Sequence, residues 1–474
     1  MLFCSQQFLV FFTAVFVVYW ILPWRRGRVW LLLAASFAFY ASWNKWLAGI
    51  ICLSTALDYV IALGLEASTV PRRRKLLLGL SLAANLGLLC YFKYANFFLT
   101  SVEETLHALG ATTSVPVLHI ILPVGISFYT FEAINYTIDV YRGRVPAEQD
   151  LAHFMLFISF FPHLIAGPIV RARDFLPQIR RPKHWDWARL NLGGQYLLMG
   201  LFKKLAIADR MALYADPVFA DPGSYGSAAS WVALLAYALQ IYCDFSGYTD
   251  MALGSAHLLG YKLAKNFHMP YLAGNVSEFW RRWHISLSTW LRDYLFIPLG
   301  GSRGNTWQTN RNLMVTMVLG GLWHGASWTF VFWGLLHGLF LITHRAFQRI
   351  CKRQERLDRL AQTGPGTVIR IGVTFSCVCL AWIFFRAPTF AAAGTILSKL
   401  VIPTAGLEAP LHPRSFWYMA AVVVICHAAA HYGIWKKLAV RAPAAALGFG
   451  YALVLSISLV LAPDAGKAFI YFQF

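Results

Sequence analysis

Charge is scarce in this chain. Only 13% of its 474 residues are Asp, Glu, Lys or Arg, against about a quarter in soluble domains. Acidic residues are scarcest, 21 against 41 Lys and Arg, for a formal net charge of +20. This composition excludes an ordinary soluble domain. The cysteines contain no CxxC pair, so the usual spacing of a redox or zinc site is missing. Cys52, Cys90, Cys243, Cys377, Cys379 and Cys426 lie in apolar segments and are expected to be buried free thiols. There is no P-loop, no GxSxG elbow and no zinc-protease pattern. His427 and His431 have the i, i+4 spacing of a metal pair but no carboxylate partner, so no metal is expected. The cations are dispersed among apolar stretches, which argues against nucleic-acid binding.

What is abundant is apolar sequence: 58% of the residues are hydrophobic, with a mean hydropathy of +0.54. Apolar stretches long enough to cross a bilayer occur near 5–23, 29–43, 46–65, 76–100, 116–141, 192–213, 228–245, 311–323, 327–346, 367–386, 415–434 and 444–462. The expected fold is all-α, a polytopic membrane protein with about 11–12 transmembrane helices plus re-entrant and interfacial helices. Arg25, Arg26 and Arg28 follow the first apolar stretch instead of preceding it, so that stretch reads as a span and not a cleaved signal peptide. The positive-inside rule then places the N-terminus outside the cytoplasm. Arg72–Lys75, the basic stretch Arg142–Arg189, the loop 347–366 and Lys436, Lys437 and Arg441 fall inside. The acidic loops 101–115 and 214–227 fall outside, the second with Asp216 and Asp221 and no cation of its own.

Three segments do not read as plain spans. Residues 151–168 are apolar, flanked by cations on both sides and interrupted by Pro162, Gly167 and Pro168, as expected of a re-entrant hairpin. Residues 278–294, EFWRRWHISLSTWLRDY, place Trp280, Trp283, His284, Leu287, Leu291 and Tyr294 on one helical face. Arg281, Arg282, Ser288 and Arg292 lie elsewhere on the wheel, and the pattern predicts one amphipathic interfacial helix. The third is LGGLWHGASWTFVFWGLLHG, residues 319–338, between Arg311 and Arg345. Too few residues separate those cations for two full spans and a loop, so two short helices are expected to meet at Gly325-Ala326-Ser327. His324 then sits at the break, an ionisable group in a stretch apolar enough for a bilayer, which marks it as a functional candidate. Gly320, Gly321 and Gly325 leave room for backbone or a ligand beside it.

Other polar residues sit in apolar segments. Glu132, Asn135 and Asp139 share one helix face, and Asp244, Ser246, Thr249 and Asp250 form a second group. A structural hydrogen-bond network is the preferred reading for most of them, and a polar tunnel lining is the alternative.

Five blocks carry a resemblance: LPVGISFYTFEAINYTIDVYRG, FFPHLIAGPIVR, YCDFSGYTDMALGSAHLLGYKLAKNF, EFWRRWHISLSTWLRDYLFIPLGGSRGN and GGLWHGASWTFVFWGLLHG. Together they resemble the membrane-bound O-acyltransferase family, in particular its bacterial branch of alginate O-acetylation and teichoic-acid D-alanine transfer proteins. The resemblance is dense over residues 120–345, and the N-terminal spans and the closing IYFQF also look like the alginate-type members. It implies a single family domain over 1–474, with helices ringed around a thin centre that a tunnel crosses. It implies that His324 matches the family's catalytic histidine and that His284 matches a second histidine of the bacterial branch.

Acyl transfer to a hydroxyl needs a base, and an imidazole titrating near neutrality suits that role. The expected mechanism has neutral His324 as general base and His284 orienting a group or polarising a carbonyl. A transient acyl-histidine or acyl-serine stays open. Trp323, Trp328, Asp244 and Arg292 are expected to line the substrate path. No bound cofactor is expected, and acetyl-CoA is the expected donor substrate. The implied partners are an exported acetyltransferase of the SGNH-hydrolase type, polysaccharide synthesis or secretion proteins and membrane lipid. The expected location is the bacterial inner membrane, and the polymer is alginate, cellulose or another exopolysaccharide. A transporter or flippase, or a non-catalytic scaffold of a secretion complex, are the alternative functions.

Overall fold

The computed structural model describes residues 1–112, 114–165, 167–462 and 469–470, apart from the side chains at 357, 435, 436 and 439. The closing IYFQF lies outside the described residues except for Ile470. Among the described residues the chain is all-α, with no strand beyond an isolated bridge between Tyr225 and Leu407. Among the described residues, six helical stretches are long and apolar enough to cross a membrane: Lys45–Ala67, Pro71–Ala108, Ser227–Leu258, Trp328–Arg353, Gly364–Arg386 and Ala444–Leu461. Several other expected spans form as shorter helices, such as Gln6–Ile21 with 16 residues and Arg25–Ala41 with 17. The helices divide between two compact units, residues 1–197 with 249–264, and residues 198–248 with 265–474.

The first unit is built from α1 (Gln6–Ile21), α2 (Arg25–Ala41), α3 (Lys45–Ala67), α4 (Pro71–Leu89), α5 (Ala95–Ala108), α6 (Ile126–Tyr141), α7 (Leu151–Ser159), α8 (Phe161–Leu164), α9 (Ala172–Arg180) and most of α10 (Trp187–Leu201). Phe8, Phe12, Phe39 and Phe161 pack into an aromatic core between α1, α2 and α8. A buried polar cluster ties α3, α4 and α6. Ser81 donates to Asp58 at 2.5 Å, and Asn85 donates to the other Asp58 oxygen at 2.8 Å. Such groups stay inside because each finds a partner.

Two expectations for this unit are corrected or refined. The stretch 116–141 is not one helix: residues 114–125 are irregular, and the helix starts only at Ile126. Pro116 and Pro123 remove backbone donors, and Gly125 adopts φ 74°, where a Cβ would lie 2.5 Å from the Leu164 carbonyl oxygen. Residues 151–168 form a broken pair, α7 and α8, separated at Phe160 just before Pro162.

The second unit holds α11 (Asp209–Ala220), most of α12 (Ser227–Leu258), α13 (Val276–Arg282), α14 (Ile285–Leu291), α15 (Thr306–His324), α16 (Trp328–Arg353), α17 (Glu355–Gln362), α18 (Gly364–Arg386), α19 (Phe390–Val401), α20 (Pro413–His431), α21 (Ile434–Arg441) and α22 (Ala444–Leu461). π-helical turns at Phe202–Ala208 and Arg292–Phe296 interrupt its helices. The acidic loop 214–227 does acquire cations in space. Arg386 pairs with Asp216 at 3.0 Å, and the Lys399 ammonium donates to the carbonyls of Pro222, Gly223 and Tyr225.

The amphipathic segment 278–294 is also corrected. It is not one helix but α13 and α14, broken at Trp283–His284, with His284 left-handed at φ 41°. Of the thiols expected to be buried, Cys243 and Cys379 are, Cys90 is exposed on the protein surface, and the others are half-buried. That correction follows from the apolar surface a bilayer-facing helix presents.

Candidate active site

His324 is the last residue of α15, and Ser327 caps the start of α16 by accepting the Thr329 N–H at 3.3 Å. The break expected at 325–327 is present, although α16 runs for 26 residues and is longer than expected. α15 and α16 approach closely through their backbones. A Cβ on Gly321 would meet the Phe330 carbonyl oxygen at 2.3 Å, and one on Gly334 would meet the Met317 carbonyl oxygen at 2.3 Å. α15 and α16 therefore pack through glycine, as small residues allow in membranes. A Cβ on Gly325 would strike the Phe330 ring at 2.2 Å. At its N-terminus α15 has a full capping box between Asn305 and Gln308.

His324 is buried within an aromatic wall. Its ring centroid lies 5.0 Å from Trp323, 5.0 Å from Trp333 and 5.3 Å from Phe385, each approached edge-on. The His284 ring centroid is 6.4 Å away, and it packs edge-on against Phe245 at 4.7 Å and Trp323 at 6.0 Å. The two histidines, expected from separate sequence blocks, are thus brought together. His324 ends α15, the end at which a helix carries its partial negative charge.

The turn that carries His284 is clipped by a loop. Ile285 N–H donates to the Asn266 carbonyl at 2.9 Å, and Ser286 N–H donates to the Asn266 side chain at 3.1 Å. His268 N–H donates to the Arg282 carbonyl at 2.9 Å. Arg282 in turn binds Glu278 through two N–H groups, at 2.9 and 2.6 Å. These bonds hold an unusual backbone state that costs about 1–3 kcal/mol for a non-glycine residue.

The other candidate residues divide. Trp323 is buried between the two histidines. Trp328 is 51% exposed at the start of α16. Arg292 is exposed and pairs with its neighbour Asp293 at 2.8 Å. Asp244 is buried, and its carboxylate is engaged by Lys204 at 2.6 Å and by the Ile470 N–H at 2.7 Å. Lys204 also reaches Asp209 at 2.8 Å. Phe469 packs on Phe245 and Tyr248, so the segment 469–470 lies behind the residue that contacts His284.

The polar face of α6 lies in the first unit. Glu132 accepts the Val170 N–H at 2.8 Å and lies 3.3 Å from His163 Nδ1, and Asn135 donates to the Val170 carbonyl at 3.1 Å. This is a hydrogen-bond network of the preferred kind. His427 directs Nδ1 to its own helix carbonyl at Val423, 3.0 Å away.

Sequence reasoning missed Trp333, His337, Trp382 and Phe385. His337 is fully buried, with Trp333 at 4.7 Å and Trp280 at 5.1 Å. Trp333 and His337 are i, i+4 in the same block as His324, a signal the sequence did contain. Trp382 and Phe385 sit in an ordinary apolar span and gave none.

Residues 144–385 match the family model for membrane-bound O-acyltransferases. The chain is 45% identical over 394 residues to "Probable alginate O-acetylase AlgI" of Azotobacter vinelandii, covering 82% of this chain and 75% of the relative. It is 43% identical over 396 residues to the protein of the same description in Pseudomonas aeruginosa, covering 83% and 73%. It is 39% identical over 400 residues to "Peptidoglycan O-acetyltransferase" of Helicobacter pylori, covering 79% and 73%.

Proposed function

This chain belongs to the membrane-bound O-acyltransferase family and is a multi-pass membrane O-acyltransferase, and from that premise we propose the acyl group, its route and the residues that transfer it. The donor is acetyl-CoA on the cytoplasmic side of a bacterial inner membrane. The acetyl group crosses through this chain and is delivered for O-acetylation of an extracytoplasmic polysaccharide, alginate or cellulose. Residues 1–474 act as one catalytic domain. An exported acetyltransferase of the SGNH type and the polymer's synthesis and secretion proteins are its partners.

The observation that carries this reading is the pairing of His324 and His284, ring centroids 6.4 Å apart, inside a wall of Trp323, Trp333 and Phe385. Neutral His324 takes the proton of the acceptor hydroxyl, and the oxygen attacks the thioester carbonyl. The C–S bond breaks, an ester forms, and the departing thiolate takes the proton back from the imidazolium. The C-terminal end of α15 stabilises that imidazolium while it lasts. His284, fixed by Asn266, orients the carbonyl. The aromatic wall excludes water that would hydrolyse the thioester. Trp323 lines the acyl path beside both rings. Trp328 and Arg292, both exposed, serve at its approaches, and Asp244 acts indirectly by holding the segment 469–470 behind Phe245.

The test uses proteoliposomes holding radiolabelled acetyl-CoA on the face that bears the basic loops, with the exported acetyltransferase and a polysaccharide acceptor on the other. Label in the polymer supports the proposal. Label that stays with coenzyme A, or coenzyme A that crosses intact, contradicts it.

A further inference from the structure

One corner of the first unit gathers positive charge. Two adjoining cavities, of about 510 and 260 Å³, share the wall Arg181-Pro182-Lys183-His184. Arg25 and Arg28 complete one, and Arg189 and Lys262 the other. Among the described residues, no carboxylate lies within ion-pair distance of any of these six cations. The two acids present are already engaged. Asp186 caps α10, accepting the N–H groups of Ala188 and Arg189 at 2.9 and 3.3 Å, and Asp174 lies 3.7 Å from Arg173.

The cations are held in place by backbone. Arg28 donates to the carbonyls of Leu22 at 2.8 Å and Lys183 at 2.9 Å, and Arg189 donates to the Gly260 carbonyl at 2.7 Å. A guanidinium has five donors, so each keeps N–H groups for a ligand. The Lys183 ammonium stands 4.4 Å from the centre of the Tyr261 ring. Burial, and then the charges of Arg189 and Arg181, push Lys183 down to about 8.

The rim indicates which anion. Trp24, Trp185 and Trp187 are 70%, 45% and 75% exposed, and Trp185 packs edge-on against both Trp20 and Trp187 at 5.2 Å. Tryptophan concentrates at the depth of lipid headgroups. The basic loops that supply Arg25, Arg28, Arg181 and Lys183 are those the positive-inside rule places at the cytoplasmic leaflet, where anionic lipids lie. We propose that this corner binds the phosphate-bearing headgroup of an anionic phospholipid, with the phosphate held by Arg28, Arg181 and Lys183. None of the lining residues belongs to the unit that carries His284 and His324.

The test places the full chain in nanodiscs of mixed phosphatidylglycerol and phosphatidylethanolamine, and native mass spectrometry reads the lipid it retains. The expected result is enrichment of phosphatidylglycerol on the wild type. In Arg181→Gln/Lys183→Gln, retention should fall about 25-fold, since each surface cation contributes a factor of about five. Both side chains line the cavities, and the variant removes their charge. Arg353→Gln, at the exposed end of α16, should retain lipid like the wild type. The wild-type preference needs no variant and stands as a second measurement. Equal retention of both lipids, or a preference that survives the double substitution, overturns the proposal. So does saturation of the site by the soluble probe 3′,5′-ADP with lipid retention unchanged, which would assign the pocket to a free organophosphate.

Discussion

Gly321→Ala is expected to separate acyl transfer from insertion and folding of the chain. The added Cβ would lie 2.3 Å from the Phe330 carbonyl oxygen and 3.1 Å from Gly334 Cα. Real Cβ contacts do not fall below 3.0 Å, so α15 and α16 must part by about 0.7 Å, and backbone cannot rotate away as a side chain can. Overpacking of this kind costs about 1–3 kcal/mol. His324 ends α15, and Trp333, which faces its ring at 5.0 Å, rides on α16. A shift approaching 1 Å at a reacting group lowers a rate about 100-fold. The neighbouring Gly320→Ala is the control: its Cβ meets only the flexible end of Leu291, at 3.2 Å, and activity should stay within about threefold, equivalent to less than 1 kcal/mol. The assay is acetyl transfer per unit of membrane-inserted protein for both variants. Near-wild-type transfer by Gly321→Ala, or equal losses in the two, would refute the reasoning.

His284→Asn should accumulate normally, because Asn tolerates the left-handed backbone at φ 41°, while transfer falls about 100-fold or more; an active His284→Asn removes His284 from the mechanism. Lys183, pushed down to about 8 by burial, Arg189 and Arg181, loses its charge in the folded protein before it would in the unfolded chain. Retention of anionic lipid should therefore fall as pH rises through about 8, while the lipid-free fold gains stability between that pH and the ordinary lysine range. The charged groups that share these cavities with Lys183 are Arg25, Arg28, Arg181, Arg189, Lys262, Asp174, Asp186 and His184. A Lys183→Arg variant should show a flat profile, and identical profiles for the two proteins would contradict this account. Impermeant thiol reagents applied to intact cells should mark single cysteines at the exposed positions 104 and 224 but not at 350, in a background free of other thiols; labelling at 350 would invert the topology.

His324 and the break after it were legible because glycine and serine interrupt an apolar run and flanking arginines limit its length. The pairing with His284 was not derivable from the residues alone. The helical pattern of 278–294 continues straight through His284, so the periodicity predicts an unbroken helix. The break is imposed by Asn266, a loop residue whose bonds to Ile285 and Ser286 no local pattern reports. Lys204 falls inside the expected span 192–213, yet it is buried between Asp209 and Asp244, and only the packing of its helix reveals that. Conversely, Pro123 and Gly125 were visible signals that α6 begins late, and hydropathy alone hid them. The aromatic wall from Trp382 and Phe385 is assembled by α18, whose sequence is that of any apolar span.

The central claim is that His324 performs the chemistry and is not merely packed at a helix break. The direct measurement is acetyl transfer from labelled acetyl-CoA to polymer in proteoliposomes containing purified His324→Ala, with insertion and thermal stability recorded on the same sample. The account predicts a folded, inserted protein with transfer lowered at least about 100-fold, the contribution of a positioned general base. A folded His324→Ala that keeps most of the wild-type transfer would contradict it.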